Sequence, residues 1–179
     1  GWFVAKGSRF AEWNGPFRDD VRRSVKGDTN SVIPLVKRLT GSSDIYGQRA
    51  GARQSINFVT CHDGFTLNDL VSYNQKHNQA NGENNRDGRE DNHSWNCGFE
   101  GTGVEHSLNA SMEAEVEALR EKQIRNLLTI LFLSSGTPML SMGDEIRRTT
   151  AGNNNAYCQN NESNWFDWSL FPKNRGLYN

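Results

Sequence analysis

The stretch Ile56-Asn57-Phe58-Val59-Thr60-Cys61-His62-Asp63-Gly64-Phe65 decides how this chain is read. Ile56 to Cys61 is β-branched and apolar with little alternation, the pattern of a strand buried on both faces, as in a parallel sheet covered by helices. The apolar run stops at His62 and Asp63, a proton carrier and a carboxylate, and Gly64 lets the backbone turn away from them. In α/β sheets and barrels, ligands bind and chemistry happens at the carboxyl ends of parallel strands, which makes His62-Asp63 a candidate site. The plainer alternative is a polar strand end that bonds only locally, and the flanking sequence has to decide between the two.

Downstream, Thr66-Leu67-Asn68-Asp69 has the capping-box pattern of a short helix running through Leu70, Val71 and Tyr73. A longer helix follows further on, with Glu113, Glu115 and Glu117 early and Arg120, Lys122 and Arg125 later, the sense that complements a helix dipole. Its apolar stripe is Val116, Leu119, Ile124, Leu127, Leu128 and Leu131, and Ser135-Gly136 ends it. Thr137 to Met142 reads as a further short strand with Pro138 at its tolerated start, followed by Gly143-Asp144-Glu145, again a glycine and acidic residues at a strand's carboxyl end.

Upstream, Phe10 to Trp13 reads as a strand end, and Asn14-Gly15-Pro16 as the turn into a helix that buries Phe17, Val21 and Val25 and closes at Gly27. Arg18, Arg22, Arg23 and Lys26 are expected on its solvated face. Ser31 to Leu39 predicts a second short helix, and Gly41 to Ser55 a polar loop. Strand, helix, strand, loop, helix, strand is the repeated βαβ unit of a parallel sheet.

Composition narrows the function classes. The chain has 179 residues, 20 basic against 21 acidic side chains and a net charge of -1, so no field favours a nucleic acid or an anionic membrane surface. No apolar run is long enough to cross a membrane, and Gly1 to Lys6 lacks the layout of a signal peptide. Hydrophobic content of 35% with a mean hydropathy of -0.77 is low for an α/β domain, which with the missing initial Met is expected of a segment of something larger. Three cysteines are too few and odd in number for a disulfide framework, so a reducing compartment is expected.

The run His77 to Gly103 carries almost no aliphatic side chain, yet Trp95 and Phe99 argue against plain disorder. Placing Gly88 at the glycine of a calcium-binding EF-hand loop leaves Ser94 where the bidentate Glu should stand, which rejects that motif. A zinc site on His93 and Cys97, completed by Cys61 or His77, lacks a second paired spacing. An unstructured linker stays open. The tail from Gly152 to Gln159 is rich in side-chain amides and leads to Trp165-Phe166-Asp167-Trp168. Amides beside indole faces suit a sugar, which offers hydroxyls and apolar ring faces; the alternative is an Asn-rich turn with buried tryptophans.

Phe58 to Leu67, Leu70 to Asn78, Asn81 to Gly88, Ser94 to Gly98, Gly136 to Leu140, Gly143 to Glu145 and Gly152 to Gln159, with Glu12 to Gly15 and Phe17 to Arg23 upstream, resemble the isoamylase and glycogen-debranching branch of the α-amylase superfamily. The resemblance covers nearly the whole chain. It implies an α/β fold that is part of a TIM (β/α)8 barrel, roughly strands six to eight with their helices and long βα loops, and residues 1–179 as one segment of that catalytic barrel. It further implies a retaining glycoside hydrolase that cleaves α-1,6 branch linkages in glycogen, amylopectin or a limit dextrin, with no cofactor and no metal, in the cytoplasm or in a plastid.

By the same resemblance Asp63 is the carboxylate that stabilises the transition state, and His62, Asn153, Asn155 and Tyr157 bind substrate. The nucleophilic Asp and the acid Glu belong to the fourth and fifth strands, before Gly1, and Glu12 matches the sixth strand, so the isolated chain is expected to be inactive. Asn160 departs from the family, which more often carries Asp there. A non-catalytic α-glucan-binding protein built from the same barrel is the alternative.

Overall fold

A computed structural model describes residues 9–47, 51–101 and 109–178. The N-terminal Gly1 to Lys6, and residues 102–103 at the end of the polar run, lie outside the described residues. The chain divides into two compact units, Gly1–Val59 with Asn126–Leu140, and Thr60–Arg125 with Ser141–Asn179.

In the first unit, strand β1 (Glu12–Trp13) leads into helix α1 (Gly15–Lys26), and helix α2 (Val32–Leu39) follows. Asn14 stops β1 by turning its side chain to cap α1, accepting the Phe17 N–H at 3.0 Å, and Gly27 closes the helix in the left-handed conformation. Two short helices, α3 (Ser43–Tyr46) and α4 (Gly51–Gln54), occupy the stretch expected to be a loop. Arg38 anchors this region: its side chain is buried, 3.2 Å from the Asp20 carboxylate and paired also with Asp44.

Strand β2 (Ser55–Asn57) and strand β3 (Thr137–Pro138) complete a parallel sheet of order β1-β2-β3, with Glu12 opposite Ser55, Trp13 opposite Ile56, Ile56 opposite Thr137 and Asn57 opposite Pro138. The parallel βαβ reading holds, but the central ladder is three residues long where Ile56 to Cys61 was expected, and β3 stops well short of Met142. The ladder closes with the Asn14 N–H on the Ile56 carbonyl at 2.9 Å on one side and the Met139 N–H on the Asn57 carbonyl at 2.8 Å on the other.

Phe58 and Val59 remain buried beyond the ladder. Phe58 packs 5.6 Å from the Trp13 ring and under the Arg18 guanidinium, and the Val59 carbonyl accepts from Arg22 Nε at 2.9 Å. Arg22 therefore corrects the reading of α1's charged face: it is a buried donor satisfying a carbonyl where the sheet's own hydrogen bonds run out. A polar line crosses the sheet beneath, Asn14 Nδ2 to Ser55 Oγ at 2.8 Å, Ser55 to Asn57 Oδ1 at 2.6 Å and Asn57 Nδ2 to the Ser135 carbonyl at 3.2 Å.

In the second unit, helix α5 (Leu67–Leu70) is capped by Thr66, whose hydroxyl accepts the Asp69 N–H at 3.2 Å. Only half of the capping box forms, since the Asp69 carboxylate turns to another loop instead of back to Thr66. Helix α6 (Ala110–Leu133) contributes its residues up to Arg125 to this unit and the rest to the first. Ile124, Leu127 and Leu131 of the expected stripe are buried, Val116, Leu119 and Leu128 half-buried. The tail forms short helices α7 (Leu170–Lys173) and α8 (Arg175–Tyr178). Among the described residues no helix is long and apolar enough to cross a membrane.

Candidate active site

The loop Cys61 to Thr66 follows the buried Phe58, Val59 and Thr60 and leads into α5. Gly64 takes φ +90, which a side chain rarely adopts, and its N–H donates to the Asn154 carbonyl at 3.0 Å. The tight turn leaves His62 Nε2 3.3 Å from Asp63 Oδ2, with both side chains 70% exposed. A proton carrier and a carboxylate thus stand side by side, open to a ligand rather than consumed by the core.

His62 and Asp63 line a cavity of about 310 Å3 with Cys61, Gly64 and Thr66 on their own loop, and with Ser141, Arg148, Thr150, Asn153, Ala156, Tyr157 and Asn164 from later in the chain. That volume falls at the small end of the range for small-molecule sites. Tyr157, in a single 3-10 turn from Ala156 to Cys158, is 84% exposed and offers both a ring face and a hydroxyl. Arg148, Ser141 and Asn164 were missed by sequence reasoning. Arg148 Nη2 donates to the Asn164 carbonyl at 2.8 Å, but an Arg pair after an acidic turn carries no local signal of which member lines a cavity.

The segment that brings Thr150, Asn153 and Tyr157 to the cavity is held by hydrogen bonds to other polar stretches. Asp69, fully buried, accepts from the Thr150 N–H at 2.8 Å and hydroxyl at 2.9 Å, from the Gly152 N–H at 3.3 Å and from the Thr149 hydroxyl. Asn78 and Asn154 exchange bonds, Nδ2 to Oδ1 at 2.8 Å and N–H to Oδ1 at 2.9 Å. Asn153 Nδ2 donates to Asn81 Oδ1 at 2.8 Å, and Asn155 Nδ2 donates to Asp87 Oδ2 at 2.8 Å. Bonds from Asn81 and then Asn155 hold the Asp87 carboxyl below its ordinary value. Gly88 is needed at the crossing, where a Cβ would lie 2.1 Å from Asn154 Oδ1.

The amide-rich stretch is therefore largely occupied with its own loop: Asn153 lines the cavity with its amide bonded to Asn81, while Asn155 lies off the lining and serves Asp87. The tryptophans after it are exposed rather than buried, and the Trp165 indole N–H donates to Asn160 Oδ1 at 3.1 Å. In the polar run, Trp95 is tied in by its N–H to the Leu70 carbonyl at 3.0 Å, which replaces the linker reading with an ordered loop. The three cysteines are free, and burial pushes the Cys97 thiol up to about 11, so it stays protonated at neutral pH. Among the described residues no three His, Cys, Asp or Glu side chains converge to hold a metal.

Asp144 lies beneath the site, 2% exposed. Burial pushes its carboxyl up from 3.8 to about 6, against the Thr60 hydroxyl and the Leu67 N–H that bond to it. A carboxyl raised on folding contributes stability that is fully present below its ordinary value and is lost as pH rises through about 6. Asp144→Asn, uncharged at every pH, should therefore gain on the wild type between pH 4.5 and pH 8, by up to about 3 kcal/mol. Urea melts at the two pH values measure this, and an identical difference at both would mean that the carboxyl titrates normally.

No protein-family model matches the chain. It is 54% identical over 171 residues to the glycogen operon protein GlgX homolog of Mycobacterium tuberculosis, covering 94% of this chain and 22% of that protein. It is 50% identical over 163 residues to the glycogen debranching enzyme of Cronobacter sakazakii, covering 89% and 23%. Identity to the chloroplastic isoamylase 3 of rice is 46% over 168 residues, covering 93% and 20%. The chain thus spans about a fifth of the length of the curated relatives it matches. Its fold is like that of the pullulanase from Anoxybacillus sp. LM18-11 solved with maltotetraose, at a TM-score of 0.65 and 24% identity over 95% of this chain and 20% of that one. With identities near one half along almost its entire length, the chain is similar to one segment of the proteins named glycogen debranching enzyme, GlgX homolog and isoamylase.

Proposed function

We propose that this chain is the later part of a (β/α)8 barrel, near strands six to eight, in a retaining glycoside hydrolase that opens α-1,6 branch points of glycogen or a related α-glucan. The observation that carries the reading is the His62-Asp63 pair, exposed on the wall of a cavity that also presents Tyr157. Asp63 holds ring hydroxyls of the sugar at the broken bond and tightens on them as the ring distorts; His62 bonds the same sugar, and Tyr157 offers a ring for stacking. Asn153 and Asn155 act on the substrate side by fixing the loop that carries Tyr157, Asn153 also forming part of the cavity wall. The nucleophilic Asp and the acid Glu come from earlier strands of the barrel. The working compartment is the cytoplasm, or a plastid in a plant.

The full-length protein carrying this segment should release reducing ends from a branched glucan. Binding of the glucan without any release would favour a non-catalytic glucan-binding protein instead. The 179-residue chain by itself should show no turnover. It should also associate and bind apolar dyes, because its first unit exposes Trp13, Ile33, Phe132 and Leu133, the last at 79%, and its sheet has two outer strands with open edges. Size in solution and dye fluorescence measure this; turnover above a blank would mean that a carboxylate such as Glu12 or Asp144 is the acid or nucleophile.

A further inference from the structure

We propose that Asp144 is a positioning residue for the His62-Asp63 pair: its one carboxylate fastens both ends of the loop that carries them, through the Thr60 hydroxyl where the chain enters and the Leu67 N–H where it leaves. The inference rests on the reading of Asp63 given above.

The loop needs such a fastening. His62 and Asp63 are too exposed to be oriented by packing, so the backbone from Cys61 to Thr66 has to fix them. Inside the loop, the Gly64 N–H bond to Asn154 and the Cys61 thiol bond to the Asp63 carbonyl at 3.4 Å hold the turn without holding its ends. Leu67 N–H belongs to the first turn of α5, where no intrahelical acceptor exists, and Asp144 Oδ1 accepts it at 2.9 Å. The other oxygen, Oδ2, accepts the hydroxyl of Thr60, which is itself buried. Asp144 does not line the cavity, so it acts on the sugar only through the loop.

The base of the clamp is anchored by burial and a hydrogen bond. Asp144 opens a single 3-10 turn ending at Ile146, which is fully buried and whose carbonyl accepts from Asn174 Nδ2 at 2.9 Å. Two charged groups face the carboxylate, Glu145 opposing its ionisation and Arg148 favouring it. Glu145 is drawn aside by the Gly143 N–H at 2.8 Å, and Arg148 by Asn164. A buried carboxylate that destabilises the fold at neutral pH, yet joins two segments far apart in sequence, fits the pattern of stability given up to hold a site.

The test uses the full-length protein with Asp144→Ala, Asp144→Asn and Thr60→Val. Asp144→Ala removes both bonds and should lower kcat by at least about thirtyfold with KM within about threefold, because a small misplacement of reacting groups is enough for such a loss. Asp144→Asn keeps an oxygen for Leu67 and offers its amide to the Thr60 oxygen, so it should restore kcat to within about threefold of wild type. Hydrogen exchange of residues 61–68 should quicken in Asp144→Ala and not in Asp144→Asn. Wild-type kcat and exchange in Asp144→Ala, or an Asp144→Asn as impaired as Asp144→Ala, would overturn the proposal. If Asp144→Ala fails to fold, Thr60→Val decides: reduced kcat at unchanged KM with faster exchange supports the clamp, and wild-type values of all three overturn it. Asp63→Asn is the control for the underlying reading. Should it keep full turnover, the role of Asp63 falls and the exchange of residues 61–68 alone decides whether Asp144 holds the loop.

Discussion

Replacing Asp63 by Ala in the full-length protein should lower kcat on a branched glucan by at least about a thousandfold, roughly 4 kcal/mol, while KM stays within about threefold. A group that tightens its hydrogen bonds only as the sugar distorts lowers the barrier without deepening the ground state, so the loss appears in kcat. The structure makes this an unusually clean substitution. Asp63 is 70% exposed and neighbours His62 at 3.3 Å, so truncating it removes no core contact. The melting temperature should be unchanged, which separates a lost chemical step from a lost fold. A kcat surviving within about tenfold, about 1.4 kcal/mol, would reduce Asp63 to a ground-state contact.

Asp69→Ala should have the largest effect on stability, at least about 3 kcal/mol, because it strips the acceptor from several buried donors at once. The Thr149 and Thr150 hydroxyls and the Thr150 and Gly152 N–H groups all converge on this one fully buried carboxylate. A loss of that size corresponds to a fall in melting temperature of roughly 6–12 °C for a domain of this length. Asp69→Asn, which keeps one acceptor oxygen, should lose less. The loosening should spread to the segment carrying Tyr157, visible as faster hydrogen exchange from Thr149 onward. A destabilisation below about 1 kcal/mol would show that the loop is held by the Asn78-Asn154 exchange instead.

Sequence by itself determined the punctuation of this protein. Pro16 and Gly27 bound α1, Thr66 caps α5, and Gly64 makes the turn that follows the buried apolar run, because these signals are local: a fixed φ, a missing Cβ, a hydroxyl three residues from an N–H. The parallel strand order followed from the helices between the strands. Tertiary structure alone decided how far each ladder runs, since β2 pairs only where partners on β1 and β3, far from it along the chain, are brought beside it. It alone decided which polar side chains are spent internally. Arg22 read as a solvated helix face and is a buried donor to Val59; Asn155 gives an amide hydrogen to Asp87; Asp144 read as a strand-end acid and bonds to Thr60 and Leu67 at the two ends of the His62 loop. A side chain's partner is set by whichever segment folding brings within about 3 Å of it, a distance that no spacing along the chain encodes.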